Sequence, residues 1–145
     1  MKLRLIMDGT RFTVFEMGDS DELGKFMQDL DQHRGKESLR LARRIDQLAN
    51  LGASRKHDEF NVIGEGLFEA KTRYGARVAF FYDAGHLVIC ANTYLKQTDR
   101  APKNFIATAR ARKRQYEQAK ARREEVEIIL DDNQVMPRRL PTWSR

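Results

Sequence analysis

The sequence has little of what marks a secreted, membrane-spanning or metal-dependent protein. It holds one cysteine in 145 residues, Cys90. No disulfide can form within the chain, and a reducing, cytoplasmic setting is expected. No apolar run approaches the roughly 20 residues that a bilayer crossing needs, so no membrane partner is expected. Met1 to Met7 lacks the apolar core and cleavage site of a secretory signal. The three histidines, His33, His57 and His86, are scattered, and none pairs with Cys90 at zinc spacing. No glycine run has the spacing of a phosphate loop, and no Gly-x-Ser-x-Gly elbow is present. No metal or cofactor is therefore expected. Cys90 sits in an apolar stretch and reads as a small packed hydrophobe rather than a nucleophile.

What is present is charge, unevenly spread. Charged residues make up 33% of the chain and the net charge is +6. Between Lys71 and Arg123 stand 13 Lys/Arg against three acidic residues, a local charge of +10, while the rest of the chain carries −4. Such a split points to a polyanionic partner, nucleic acid first. A solvated helix surface explains the charge equally well at this stage.

The hydrophobic pattern gives an α+β order. Lys2 to Met17 alternates as a hairpin, with Asp8-Gly9 expected to turn it through a positive φ. Asp19 and Glu22 have capping-box spacing, and Leu23, Phe26, Met27 and Leu30 then form one helical stripe. A second stripe, Leu41, Ala42, Ile45, Leu48 and Ala49, runs to Gly52, a residue suited to a left-handed helix end. A short strand is expected at Phe60–Ile63, then strands at 67–72, 76–82 and 86–96 joined by tight turns. Pro102 suits the first turn of a last, basic helix. Val126 to Leu130 reads as a strand or a helix end. Residues 1–125 are expected to form one domain and 126–145 a partly flexible extension.

Side chains alternate across a strand, so Lys71 pairs in facing with Arg73, Arg77 with Ala79, and Tyr94 with Lys96 and Asn92. If those faces coincide, cations and an aromatic ring form one patch, a combination that binds single-stranded RNA. A half-exposed solvated sheet face is the competing reading.

Four segments in fixed order carry a family resemblance. Gly66-Leu67-Phe68-Glu69-Ala70-Lys71 resembles a G-L-[YW]-E-[LI]-R strand, and Arg77-Val78-Ala79-Phe80-Phe81-Tyr82 resembles Y-R-[VI]-x-[YF]-x. The run Asn92 to Pro102 resembles N-G-F-x-K-K-T-x-K-T-P, and Ala109, Arg112 and Tyr116 stand at the spacing of A-x-x-R-x-x-x-Y. Together they resemble the RelE/ParE toxin superfamily, in its HigB-like, phage-derived Gp49-like branch. Lys71 and Gln97 depart from the arginine and lysine of that pattern.

The resemblance implies a RelE-like fold: a mainly antiparallel twisted sheet, an N-terminal two-helix hairpin, and a basic C-terminal helix packed near the sheet edge. It implies the toxin of a type II toxin–antitoxin system, a ribosome-dependent endoribonuclease that cuts messenger RNA by attack of the ribose 2′-OH. The implied catalytic set is Arg77, Lys71, Lys96 and His57, with Arg73, Tyr94, Arg100, Arg112 and Lys113 binding RNA. The implied partners are a cognate antitoxin, of helix-turn-helix type, and the ribosome with its messenger RNA. The alternative is a non-catalytic, ParE-like inhibitor of DNA gyrase or a nucleic-acid-binding protein.

Overall fold

The computed structural model describes residues 1–18, 21–33, 35–96 and 103–130, and the backbone of 135–138. In chain order these form β1 (Lys2–Asp8), β2 (Thr13–Met17), α1 (Glu22–His33), α2 (Glu37–Leu51), β3 (Phe60–Gly64), β4 (Leu67–Lys71), β5 (Ala76–Asp83), β6 (Leu87–Leu95), α3 (Lys103–Ala121), β7 (Val126–Ile129) and β8 (Val135–Arg138). The strands make one sheet in the order β3-β4-β5-β6-β2-β1-β7-β8. Asp19, Arg100, Pro102 and the tail residues 131–134 and 139–145 lie outside the described residues. The expected capping box, helix-start proline and flexible tail therefore fall there wholly or in part.

The expectation of a mainly antiparallel sheet with an N-terminal two-helix hairpin is corrected on two counts. Two strands come before the helix pair, and two pairings are parallel, β2 with β6 and β1 with β7, so the sheet is mixed. The reason is one of parity. Leaving β2, the chain passes through α1 and α2 and comes back as β3, which runs opposite to β2. Three hairpins, β3–β4, β4–β5 and β5–β6, then reverse it three times. The last strand arrives pointing along β2. Hairpin signals report only on sequence neighbours, whereas Val14 meets Val88 from 74 positions away. The basic helix is also not at a sheet edge: α3 packs across β5 and β6, in the middle of the sheet.

Both faces are covered. Leu41, Ile45 and Leu48 of α2 and Leu23 and Leu30 of α1 bury against Val78, Phe80, Val88 and Cys90. On the opposite face Phe105, Ala109 and Tyr116 of α3 bury against Phe81, Ile89 and Phe15. Every residue from Ala76 to Phe81 is consequently buried. Each such large apolar side chain contributes about 1.5–3 kcal/mol. β7 carries the sheet past residue 125, with Val126 and Ile128 in the α3-side core.

Two local expectations change. The β1–β2 connection spans residues 9–12, and Gly9 is not among the positive-φ glycines. A Cβ on Gly9 would lie 2.3 Å from the Ala49 carbonyl oxygen, which also accepts from the amides of Arg11 and Phe12. Glycine is needed there because the end of α2 passes so close. The start of α1 is capped by Asp21, whose Oδ1 accepts from the Gly24 amide at 2.9 Å. A second carboxylate, Glu16 on β2, accepts from the Leu23 amide at 2.8 Å.

Glu16 is buried, and burial pushes its carboxyl up to about 7. The Leu23 amide and Arg4 oppose the shift, while Asp21 and Glu22 add to it. The folded protein thus keeps a proton that the unfolded chain releases near 4.5. Its contribution to stability is full below that value and is lost as pH rises through about 7. We expect the wild-type unfolding free energy to fall by on the order of 3 kcal/mol across this window. Glu16→Gln should flatten that slope in urea titrations at several pH values.

Candidate nucleic-acid interface and active site

The site is built by register. Lys71 on β4 pairs with Arg77 on β5, and Arg77 pairs with Tyr94 on β6. Directly paired residues share a face, so these three side chains stand abreast on the α3 side of the sheet. The next row inward is Asn61, Glu69, Ala79 and Asn92. A bulge between Ala79 and Phe80 lets β6 carry the extra residue Ala91, which keeps Asn92 and Tyr94 on this face.

Each side chain has a definite partner. Arg77 is only 6% exposed, and its Nη1 donates to the carbonyls of Thr72 (2.9 Å) and Ala76 (3.0 Å). Its side chain also hydrogen-bonds Tyr94. The Tyr94 ring lies 4.1 Å from the Phe105 ring, at the start of α3. Burial, then the nearby Glu69 charge, holds the Tyr94 hydroxyl above its ordinary value, so it stays protonated at neutral pH. Asn92 donates to the Phe105 carbonyl at 2.9 Å, and among the described residues its buried Oδ1 has no partner. Lys71 Nζ donates to the His57 carbonyl at 3.0 Å, and the exposed His57 ring faces Asn61 Oδ1 across 3.4 Å. The Lys96 amide donates to Gly75 O at 2.7 Å. A Cβ on Gly75 would lie 2.5 Å from Lys96 O, so this turn also requires glycine.

The turn at 72–75 is locked from the opposite face. Glu37, the first residue of α2, is 1% exposed. Its Oε2 accepts from the Thr72 hydroxyl and from the Ala76 amide (3.3 Å). A chain of contacts therefore runs from Glu37 through Thr72 to Arg77. Sequence reading missed Glu37, although the signal exists: it continues the Leu41, Ile45, Leu48 stripe back by four residues. It also missed Asn61, whose place is set only by β3–β4 register.

Of the residues singled out in the sequence, Lys71, Arg77 and Tyr94 come together, with His57 held beside Lys71 and Lys96 directly after the strand. The others do not join them. Arg73 is on the exposed turn and lines a cavity with the arginines of α2. Arg112 forks onto Glu22 with two 2.9 Å contacts and also donates to the Ala91 carbonyl. It closes the gap where β2 stops beside β6. Lys113 pairs with Glu117 at 2.9 Å, near the β3–β4 turn. Arg100 lies outside the described residues. Among the described residues no group of three or more His, Cys, Asp or Glu could hold a metal, and no helix is long and apolar enough to cross a membrane. Burial and the Glu16 charge push the Cys90 thiol up, so it is not a nucleophile at neutral pH.

The row sets two cationic side chains beside an aromatic ring on adjacent strands. It contains few groups for proton transfer. A comparison with protein families matches residues 25–114 to the phage-derived protein Gp49-like family (DUF891). The chain belongs to that family, a toxin-like family associated with toxin–antitoxin systems. The match spans α1 to the middle of α3 and includes every strand of the candidate site. A search of the curated proteins finds no match.

The Glu37–Thr72 lock has an energetic consequence. Glu37→Ala leaves the Thr72 hydroxyl and Ala76 amide without their acceptor and should cost about 2 kcal/mol, with Thr72→Val costing about 1 kcal/mol. The double variant should lose less than the two together, because both remove one contact. Urea unfolding of the four proteins measures this coupling, and strict additivity would show that the lock carries no energy.

Proposed function

We propose that the protein is a RelE/HigB-type toxin, a cytoplasmic, ribosome-dependent endoribonuclease that cuts messenger RNA and is held in check by a cognate antitoxin. The observation that carries this reading is the row Lys71, Arg77, Tyr94 on three adjacent strands, in a chain of toxin-like family. A rigid sheet holds the cations at fixed spacing, which is what stabilising a developing charge demands.

In the proposed reaction the 2′-oxygen bonds to the adjacent phosphorus and the 5′-oxygen leaves. The hydroxyl loses a proton and the leaving oxygen gains one. The phosphorane between them gains negative charge. Arg77, pinned through Nη1 to the turn carbonyls, meets that charge with the rest of its planar fork. Lys71 and Lys96 grip phosphate, and Tyr94 stacks against a base. His57, exposed beside Lys71, is the one imidazole near the row and serves proton transfer. With so few proton-transfer groups, the enzyme depends on the ribosome to present the RNA in an attacking geometry.

The near-complete burial of Arg77 favours one other reading, in which the arginine braces the turn and the protein inhibits without cutting, as ParE-like gyrase poisons do. The two separate cleanly. Arg77→Ala should abolish growth arrest and reduce cleavage by about 10²–10³-fold, with Arg77→Lys restoring only part, since a point charge cannot copy the fork. Lys96→Ala should weaken binding more than it slows cutting. RNA ends mapped after induction and in a ribosome-containing extract give the readout, with melting curves to show the variants folded. An Arg77→Ala protein that folds and still cuts RNA refutes the assignment. Growth arrest by the wild type with intact messenger RNA supports the gyrase-type reading.

A further inference from the structure

Four arginines gather on the opposite side of the turn 72–75 from the row just described. Arg40, Arg43 and Arg44 of α2 and Arg73 of the turn line an open cavity of about 240 Å³ together with Gln47 and Thr72. Arg44 is occupied: it donates to Lys71 O at 2.8 Å and to Gln47 Oε1 at 2.7 Å and pairs with Glu59 at 3.3 Å. The others are not so committed. Arg40's ion pair is with the Glu37 carboxylate at 3.8 Å, beyond hydrogen-bond length. Arg43 and Arg73 are exposed and make no ion pair among the described residues. The Tyr74 ring, 48% exposed, lies between two of these groups, with Arg40 Cζ 4.5 Å and Arg73 Cζ 5.7 Å from its centroid.

Like charges packed around one cavity repel, and a polyanion entering it relieves that repulsion. We propose that this patch binds the backbone of single-stranded RNA and holds the strand where it leaves the Lys71–Arg77–Tyr94 row and passes around the turn. This rests on the RNA reading above. Two observations select RNA over an acidic polypeptide. The half-exposed Tyr74 and the guanidinium planes of Arg40 and Arg73 packed on its ring offer planar surfaces on which an unpaired base stacks, an interaction that a carboxylate chain does not supply. The turn is also shared: Thr72 lines the arginine cavity, and its carbonyl holds Arg77. A strand seated on one side of the turn has the arginine cavity directly on its path.

The test uses the full chain and a labelled single-stranded RNA of about 12 nucleotides, 2′-O-methylated so that it cannot be cut. Fluorescence anisotropy over a salt series compares the wild type with the triple variant Arg40→Gln/Arg43→Gln/Arg73→Gln, and with Tyr74→Ala and Arg77→Ala. Arg44 is left alone because it braces α2 against β4. The triple variant should bind at least about tenfold more weakly, with the slope of log K against log salt reduced by about 2. Tyr74→Ala should weaken single-stranded RNA about tenfold and leave duplex RNA unchanged. Equal melting temperatures establish that the variants are folded. Lost binding by the triple variant in a protein that never cuts RNA would defeat the cleavage reading and keep this one. Failure of the wild type to bind RNA, an unchanged affinity and salt slope in the triple variant, or a preference for polyglutamate over RNA overturns the proposal.

Discussion

The structure depends on burying β5 and β6 on both faces. The run Ala76 to Phe81 alternates between two cores, and neither face can be left wet. Covering one face takes the α1–α2 pair, and covering the other takes α3. The helix pair must leave the sheet after β2 and return at β3, on the far side of β5 and β6. That journey sets the parity of the later hairpins, and with it the parallel seam between β2 and β6. The mixed sheet is the consequence of covering two faces with one chain.

The candidate site lies where this cover ends. β2 pairs with β6 only as far as Cys90, so the last residues of β6 stand beyond it, beside β5 and the end of β4. There the α3-side face passes from Phe81 and Ala79 to Arg77, and from Ile89 to Asn92 and Tyr94. Charged and polar groups replace apolar ones along the same strands. A buried carboxylate on the far side, Glu37, holds the turn whose carbonyls hold Arg77. A partnered buried charge is weak as a source of stability but strong as a fixer of geometry. The arginine is thus positioned through backbone that α2 itself anchors.

Much of this was legible in the sequence. Both helix stripes, Gly52 as the end of α2, the strands over 67–95 and the basic last helix follow from periodicity and turn chemistry. Lys71, Arg77 and Tyr94 were identified because their alternation placed each on a definite strand face. Arg112 and Lys113 lie apart from that row, tied to Glu22 and Glu117, and a cationic helix residue looks the same in sequence whether it meets solvent or a carboxylate. Glu22, the partner of Arg112, stands 90 positions away. Arg73 stands apart for another reason: β4 ends at Lys71, and strand alternation does not continue into the turn.

The sequence by itself determined the local elements, because hydrophobic period, caps and glycine positions act over a few residues. It also determined that the second half is cationic, and it placed Lys71, Arg77 and Tyr94 on the strands that now lie side by side. Only the tertiary structure decided which strands run parallel, which arginines are tied to carboxylates and backbone, and which stand together around the turn 72–75. Those outcomes depend on contacts between residues tens of positions apart. Their pairing follows from how two helical layers close over one sheet, and no local pattern records it.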